Sequence, residues 1–128
     1  MSELGYEEHQ PARDEIDALD GPALLVFGTN WCGYCRASHG ALEQALADHP
    51  QVRVVKVEDG RGRALGRSFG VKLWPTMIGL HDGREVARAV RPRKPEQIAE
   101  VLRTAIDPAA TGDQDVPSSS SPEDVSPA

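Results

Sequence analysis

Apolar residues recur along this chain with changing periods, and the changes mark its elements. Ala23-Leu24-Leu25-Val26-Phe27 is apolar throughout, the pattern of a strand buried on both faces. Residues 51–57 alternate instead: Val52, Val54 and Lys56 fall on one face, and Arg53, Val55 and Val57 on the other. Between the two, residues 32–48 contain no proline and carry Leu42, Ala45 and Leu46 at helical spacing. A strand, a helix and a second strand in that order form a βαβ unit, with parallel pairing and a right-handed crossover. Ile16 and Leu19 predict a short helix from Asp14, and Leu65 and Phe69, one turn apart, predict another within the glycine-punctuated segment 60–70. Segments 76–80 and 85–90 flank His81-Asp82-Gly83-Arg84, where Asp-Gly is a strong hairpin signal. Ile98, Val101, Leu102, Ala105 and Ile106 then follow the spacing of an amphipathic helix, with Pro95 near its start. No segment repeats. The expected class is α/β, a central mixed β-sheet flanked by helices.

Composition adds limits at the two ends. The last residues, 108–128, are rich in Pro, Ser, Asp and Gly without an aromatic, so they cannot bury enough apolar area to offset their ordering entropy. We expect a disordered tail over 108–128, a flexible acidic N-terminus over 1–13, and one folded domain over 14–107. The net charge of −6 divides accordingly: −6 in residues 1–20, +5 in 21–106 and −5 in 107–128. A mildly basic body between acidic ends gives no reason to expect nucleic-acid binding. No apolar run approaches the roughly 18 residues of a membrane helix, so no membrane partner is expected. The N-terminal residues show neither a basic stretch nor an apolar one after it, so the expected compartment is the reducing cytoplasm. Two cysteines there are poor candidates for a structural staple, and catalysis or metal binding is the better expectation.

The cysteines lie in Trp31-Cys32-Gly33-Tyr34-Cys35, directly after the first buried strand and at the start of the first long helix. At a helix N-terminus, unpaired backbone N–H groups and the positive end of the macrodipole favour a thiolate. Cys32 is therefore the expected attacking group. Cys35, one turn later, is within bonding reach and can resolve a mixed disulfide. Half of a zinc site is the alternative, but there is no second cysteine pair, and His9, His39, His49 and His81 lack ligand spacing. No metal and no cofactor is expected.

Beyond the motif, residues 14–106 resemble the thioredoxin family in element order and spacing. Gly70-Val71-Lys72-Leu73-Trp74-Pro75-Thr76 looks like that family's cis-proline loop, and the Asp82-Gly83 hairpin and last helix fall where the family has them. The resemblance implies a thioredoxin-like fold and a thiol–disulfide oxidoreductase, most simply a protein disulfide reductase. It implies Cys32 and Cys35 as the catalytic, redox-active pair, and Trp31, Gly33, Tyr34, Trp74, Pro75 and Thr76 as substrate contacts, with the Trp74 backbone pairing to extended substrate. Partners would be disulfide-containing proteins and a reductant such as a thioredoxin reductase or a glutathione system, with the chain acting as a monomer. A disulfide isomerase or oxidase, or a non-catalytic binding module or chaperone of the same fold, remain as alternatives.

Several positions depart from the family pattern. Gly33-Tyr34 stands where thioredoxins usually carry Gly-Pro, and Val26 falls on the carboxylate usually buried beneath the cysteines. Gly40 replaces the helix-kinking proline, Trp74 a smaller β-branched residue, and Arg91-Pro92 a substrate-facing glycine. Lys56 matches the family's strand lysine, and Glu58 on the same face could partly replace the missing carboxylate. His39 could shuttle protons. Arg84, Arg88, Arg91, Arg93 and Lys94 could steer acidic peptides or glutathione towards the site.

Overall fold

The structure, a computed structural model, describes Tyr6 and residues 11–30 and 32–109. The expected tail beyond residue 109, most of the N-terminal acidic segment, and Trp31 lie outside the described residues.

The all-apolar run becomes strand β1 (Pro22–Gly28), buried from Ala23 onwards. It sits inside a four-stranded sheet of order β2-β1-β3-β4, where β2 is Arg53–Glu58, β3 is Thr76–His81 and β4 is Arg84–Val90. β1 and β2 pair in parallel, as a helical crossover demands. β3 runs antiparallel to both β1 and β4. A mixed sheet results, with helices α1 (Arg13–Asp17), α2 (Gly33–Ala47), α3 (Ala64–Ser68) and α4 (Pro95–Ile106).

Because successive strand residues point to opposite faces, β1 feeds two cores. Leu24 and Val26 join Leu42 and Ala45 of α2, and Ile98, Val101 and Leu102 of α4. Ala23, Leu25 and Phe27 join Ile16 of α1, Leu65 of α3, and Phe69. β2 alternates in the same sense, with Val54 and the preceding Val52 on the first face and Val55 and Val57 on the second. Burial of Leu24, Leu25, Val26 and Phe27 alone removes four large side chains from water, each contributing roughly 1.5–3 kcal/mol.

The hairpin turns on Asp82 (φ +52°) and Gly83 (φ +82°), the two left-handed residues a two-residue primed turn requires. Asp82 also accepts from Gly21 N–H at 2.7 Å, tying the turn to the entry of β1. α4 lies against the sheet over Gly79, where a Cβ would come within 2.8 Å of the Val101 side chain.

One described residue of the N-terminal segment packs into the domain. Tyr6, placed by composition in a loose acidic stretch, is 4% exposed and belongs to the core beneath α2. Its backbone is held by Asn30, whose Oδ1 accepts from Tyr6 N–H and whose Nδ2 donates to the Tyr6 carbonyl, both at 3.1 Å. A lone aromatic among acidic residues has no periodicity to reveal it, and its partner is 24 residues away in sequence.

Candidate active site

β1 ends at Gly28, and the chain turns through Thr29 and Asn30 into α2, so the first residues of α2 stand at one end of the sheet. Cys32 is the N-cap of α2, with extended backbone (φ −75°, ψ 127°). Its Sγ accepts from Cys35 N–H at 3.3 Å. This is the ordinary N-cap bond to the third helical residue, with sulfur in place of a hydroxyl or carboxylate. The spacing of the two cysteines therefore has a geometric cause. The residue whose amide the Cys32 sulfur caps is the residue that carries the second sulfur. Both side chains are thiols in this structure and both are buried.

Burial pushes the Cys35 thiol up to about 12, and its hydrogen bond with Cys32 pushes the same way. Two contacts oppose the rise: a hydrogen bond from the Thr29 backbone and one from the Tyr6 side chain. Gly28 makes this arrangement possible. A Cβ there would lie 2.6 Å from Cys35 Sγ and 2.9 Å from the Tyr6 hydroxyl. Gly28→Ala is expected to lower stability by about 1–3 kcal/mol, as overpacking of a close core does. The check is a denaturant midpoint at unchanged slope; an unshifted midpoint contradicts the packing described.

Val26 is fully buried in the same core as Tyr6 and Cys35. Glu58, which by strand parity could partly replace the carboxylate, pairs with Arg63 at 3.3 Å. Lys56 approaches Glu43 of α2 at 4.0 Å, and burial lowers its ammonium pKa. Strand parity put Lys56 and Glu58 on one face correctly, but it carries no information about charges that other elements bring there. His39 faces Glu43 along the helix at 3.8 Å.

The Trp74–Pro75 peptide is cis. Thr76 opens β3 opposite Phe27 of β1, so the preceding loop stands at the same end of the sheet as the cysteines. Thr76 is buried, and its hydroxyl donates to the Leu73 carbonyl at 2.6 Å. The Trp74 indole donates to Asp59 Oδ2 at 2.8 Å, a partner that sequence reasoning missed although Asp59 directly follows β2. Ser38 of α2, also missed, donates to the Pro92 carbonyl at 2.6 Å and ties the helix to the loop after β4.

Of the expected basic cluster, two members reach the site. Arg91 and Arg93 line a groove of about 550 Å³ with Gly33, Tyr34, Ala37 and Ser38. The Arg91 guanidinium stacks 3.9 Å above the ring of Tyr34, which is 55% exposed. Arg91 Nε donates to the Trp74 carbonyl at 2.9 Å. Of the Trp74 backbone groups expected to meet substrate, the carbonyl thus already accepts one bond. Arg91 holds a left-handed backbone (φ +51°), where a glycine sits without strain and an arginine costs about 1–2 kcal/mol. Arg88 is engaged elsewhere, with Glu85 at 2.6 Å and the Phe69 carbonyl at 2.7 Å.

Known proteins place this arrangement. The family model described as Thioredoxin matches residues 7–104. A thioredoxin of Haemophilus influenzae is 30% identical over 107 residues, covering 83% of this chain and 100% of that one. A thioredoxin of Chlamydia muridarum is 30% identical over 82 residues, covering 64% of this chain and 80% of its own. Among solved structures, the reduced form of thioredoxin 2 from Pseudomonas aeruginosa PAO1 superposes with a TM-score of 0.72 at 52% identity, over 79% of this chain and 94% of that one. With a cysteine pair at the N-terminus of α2, a mixed four-stranded sheet and a match spanning most of its length, this chain belongs to the thioredoxin family of thiol–disulfide oxidoreductases.

Proposed function

We propose that the chain reduces protein disulfides by a two-step exchange in which Cys32 attacks and Cys35 resolves. The observation that carries this assignment of roles is the capped Cys32 sulfur, which accepts Cys35 N–H at 3.3 Å. A sulfur in that position gains more from the amide and the helix dipole as a thiolate than as a thiol. In the first step the Cys32 thiolate bonds to one substrate sulfur, and the other substrate sulfur leaves with the electron pair and takes a proton. In the second, Cys35 loses its proton and attacks Cys32 Sγ. The second substrate sulfur leaves as a thiolate, and the chain retains the disulfide. Two electrons pass to the substrate, and an external reductant restores the dithiol.

Gly33, Tyr34, Trp74 and Pro75 are the substrate contacts under this reading, with Trp31 beside them in sequence, while Thr76, buried with its hydroxyl on the Leu73 carbonyl, supports the loop from within. A thioredoxin reductase or a glutathione system is the class of reductant, and the reducing cytoplasm the compartment in which the exchange runs forward. The equilibrium potential of the Cys32–Cys35 couple against glutathione tests the direction. A value near −270 mV supports a reductase, and one at roughly −180 to −120 mV overturns it in favour of an isomerase or oxidase.

The groove under Arg91 and Arg93 favours substrates with acidic residues beside the disulfide. Arg91→Gly keeps the left-handed turn but removes the charge. For an acid-flanked peptide disulfide its KM is expected to rise about two- to fivefold at low salt. For a neutral peptide the change should be smaller, and added salt should erase the difference. Equal KM changes for both peptides contradict an electrostatic role.

A further inference from the structure

We propose that Tyr6 supports the resolving step in a site that lacks the buried carboxylate, donating a hydrogen bond to Cys35 Sγ as that sulfur becomes the resolving thiolate. The proposal rests on the reading of Cys35 as the resolving thiol. It adds to the active site a residue from the N-terminal segment, one position before the span that matches the family.

Three observations converge on it. First, Gly28 leaves open a space bordered by both groups: a Cβ there would be 2.6 Å from Cys35 Sγ and 2.9 Å from the Tyr6 hydroxyl. Any other residue at that position would force the two apart. Second, Tyr6 is fixed by the site's own loop, since Asn30 clamps its backbone with two hydrogen bonds of 3.1 Å. Asn30 lies two residues before Cys32, so whatever positions the attacking sulfur also positions the phenol. Third, the ring is 4% exposed, and a buried phenol requires a partner for its hydroxyl. Its side-chain partner is Cys35.

The protonation state then decides the role. Burial and the two neighbouring thiols push the Tyr6 phenol well above its ordinary value, so it stays neutral at any physiological pH. A neutral phenol is a poor base and a lasting donor. Tyr6 therefore does not remove the Cys35 proton, which passes to water or hydroxide. It holds the sulfur that remains, alongside the Thr29 backbone contact that acts in the same direction. The thiolate then bonds to Cys32 Sγ, the mixed disulfide breaks, and the electron pair leaves on the substrate sulfur, which takes up a proton. Tyr6 keeps its own proton throughout. Unlike a carboxylate, it brings no negative charge beside the forming thiolate, so its help does not depend on its own titration.

Tyr6→Phe keeps the ring and removes the donor. Single-turnover measurements on the full chain should show an unchanged rate of mixed-disulfide formation and a resolution rate about three- to tenfold slower at every pH from 6 to 9. In a Cys32→Ala background, where Cys35 is the remaining thiol, thiolate absorbance should show three- to tenfold less thiolate at a given pH when Tyr6 is Phe. Should Tyr6→Phe fail to fold, 3-fluorotyrosine placed at position 6 preserves the shape and strengthens the donor, and resolution should quicken. A folded Tyr6→Phe chain with wild-type resolution and wild-type Cys35 titration overturns the proposal, as does a fluorotyrosine chain with an unchanged rate. Failure of the underlying reading shows differently: Cys35→Ser would then turn over without trapping substrate.

Discussion

With serine at position 32, disulfide reduction is expected to stop altogether, whereas serine at position 35 should leave substrate covalently attached. The two outcomes differ because the sulfurs occupy different places on one helix end. Cys32 caps α2 and takes the Cys35 amide at 3.3 Å, so it is the sulfur that gains from the helix terminus as an anion. A hydroxyl in its place can cap the helix but cannot form a bond to substrate sulfur. Structure should survive while turnover falls to the background of the reductant. Cys35 is 2% exposed and pushed up to about 12 by burial, so it cannot compete as the first nucleophile. Its removal blocks only the second step. An insulin-type assay with dithiothreitol, paired with intact mass measurement, checks both halves. Equal activity of wild type and Cys32→Ser would leave a binding module of the same fold as the better account.

The second large effect is on pH. A thiol held near 12 is almost wholly protonated at neutrality, and its thiolate fraction grows about tenfold for each pH unit below that value. Resolution of the mixed disulfide should therefore rise about 10³-fold from pH 6 to pH 9, provided no local base takes the proton. In the mixed disulfide Cys32 carries no charge, so its contribution to Cys35 weakens. Burial, the larger cause, persists and keeps the slope. Val26→Asp probes the same step from the opposite side. A carboxylate in that fully buried position should supply a base, quicken resolution at pH 7 and flatten the pH profile. It should also cost a few kcal/mol of stability, because Lys56 is drawn towards Glu43 at 4.0 Å and burial of the new charge is poorly offset. A resolution rate that ignores pH in the wild type would mean that a base already serves Cys35.

Element order was readable because each element carries its own local signal. The all-apolar β1, the alternating β2, the Asp82-Gly83 turn and the stripe on α4 all appear in the structure within a residue or two of their expected limits. The cysteine pair was equally legible, since its meaning depends on what precedes and follows it in sequence. What stayed hidden was assembled from distant pieces. Tyr6 has no patterned neighbours, and its clamp on Asn30 spans 24 residues. Glu58 looked free to replace a carboxylate for a different reason: its partner Arg63 is only five residues on, but it lies in a glycine-punctuated stretch with no periodicity to show that the chain turns back there. Arg91 was visible as a departure from glycine, but not its bond to the Trp74 carbonyl 17 residues away. Local chemistry is written locally, and charge pairing across elements is not.

The most direct test of the two-step account is an acid-quenched single turnover at pH 7 that counts free thiols and weighs the covalent species over time. The account predicts a chain–substrate disulfide at Cys32 that forms first, accumulates, and decays into the Cys32–Cys35 disulfide as the second substrate thiol appears. Oxidation of the chain with no covalent intermediate in wild type, and none trapped in Cys35→Ser, would contradict it.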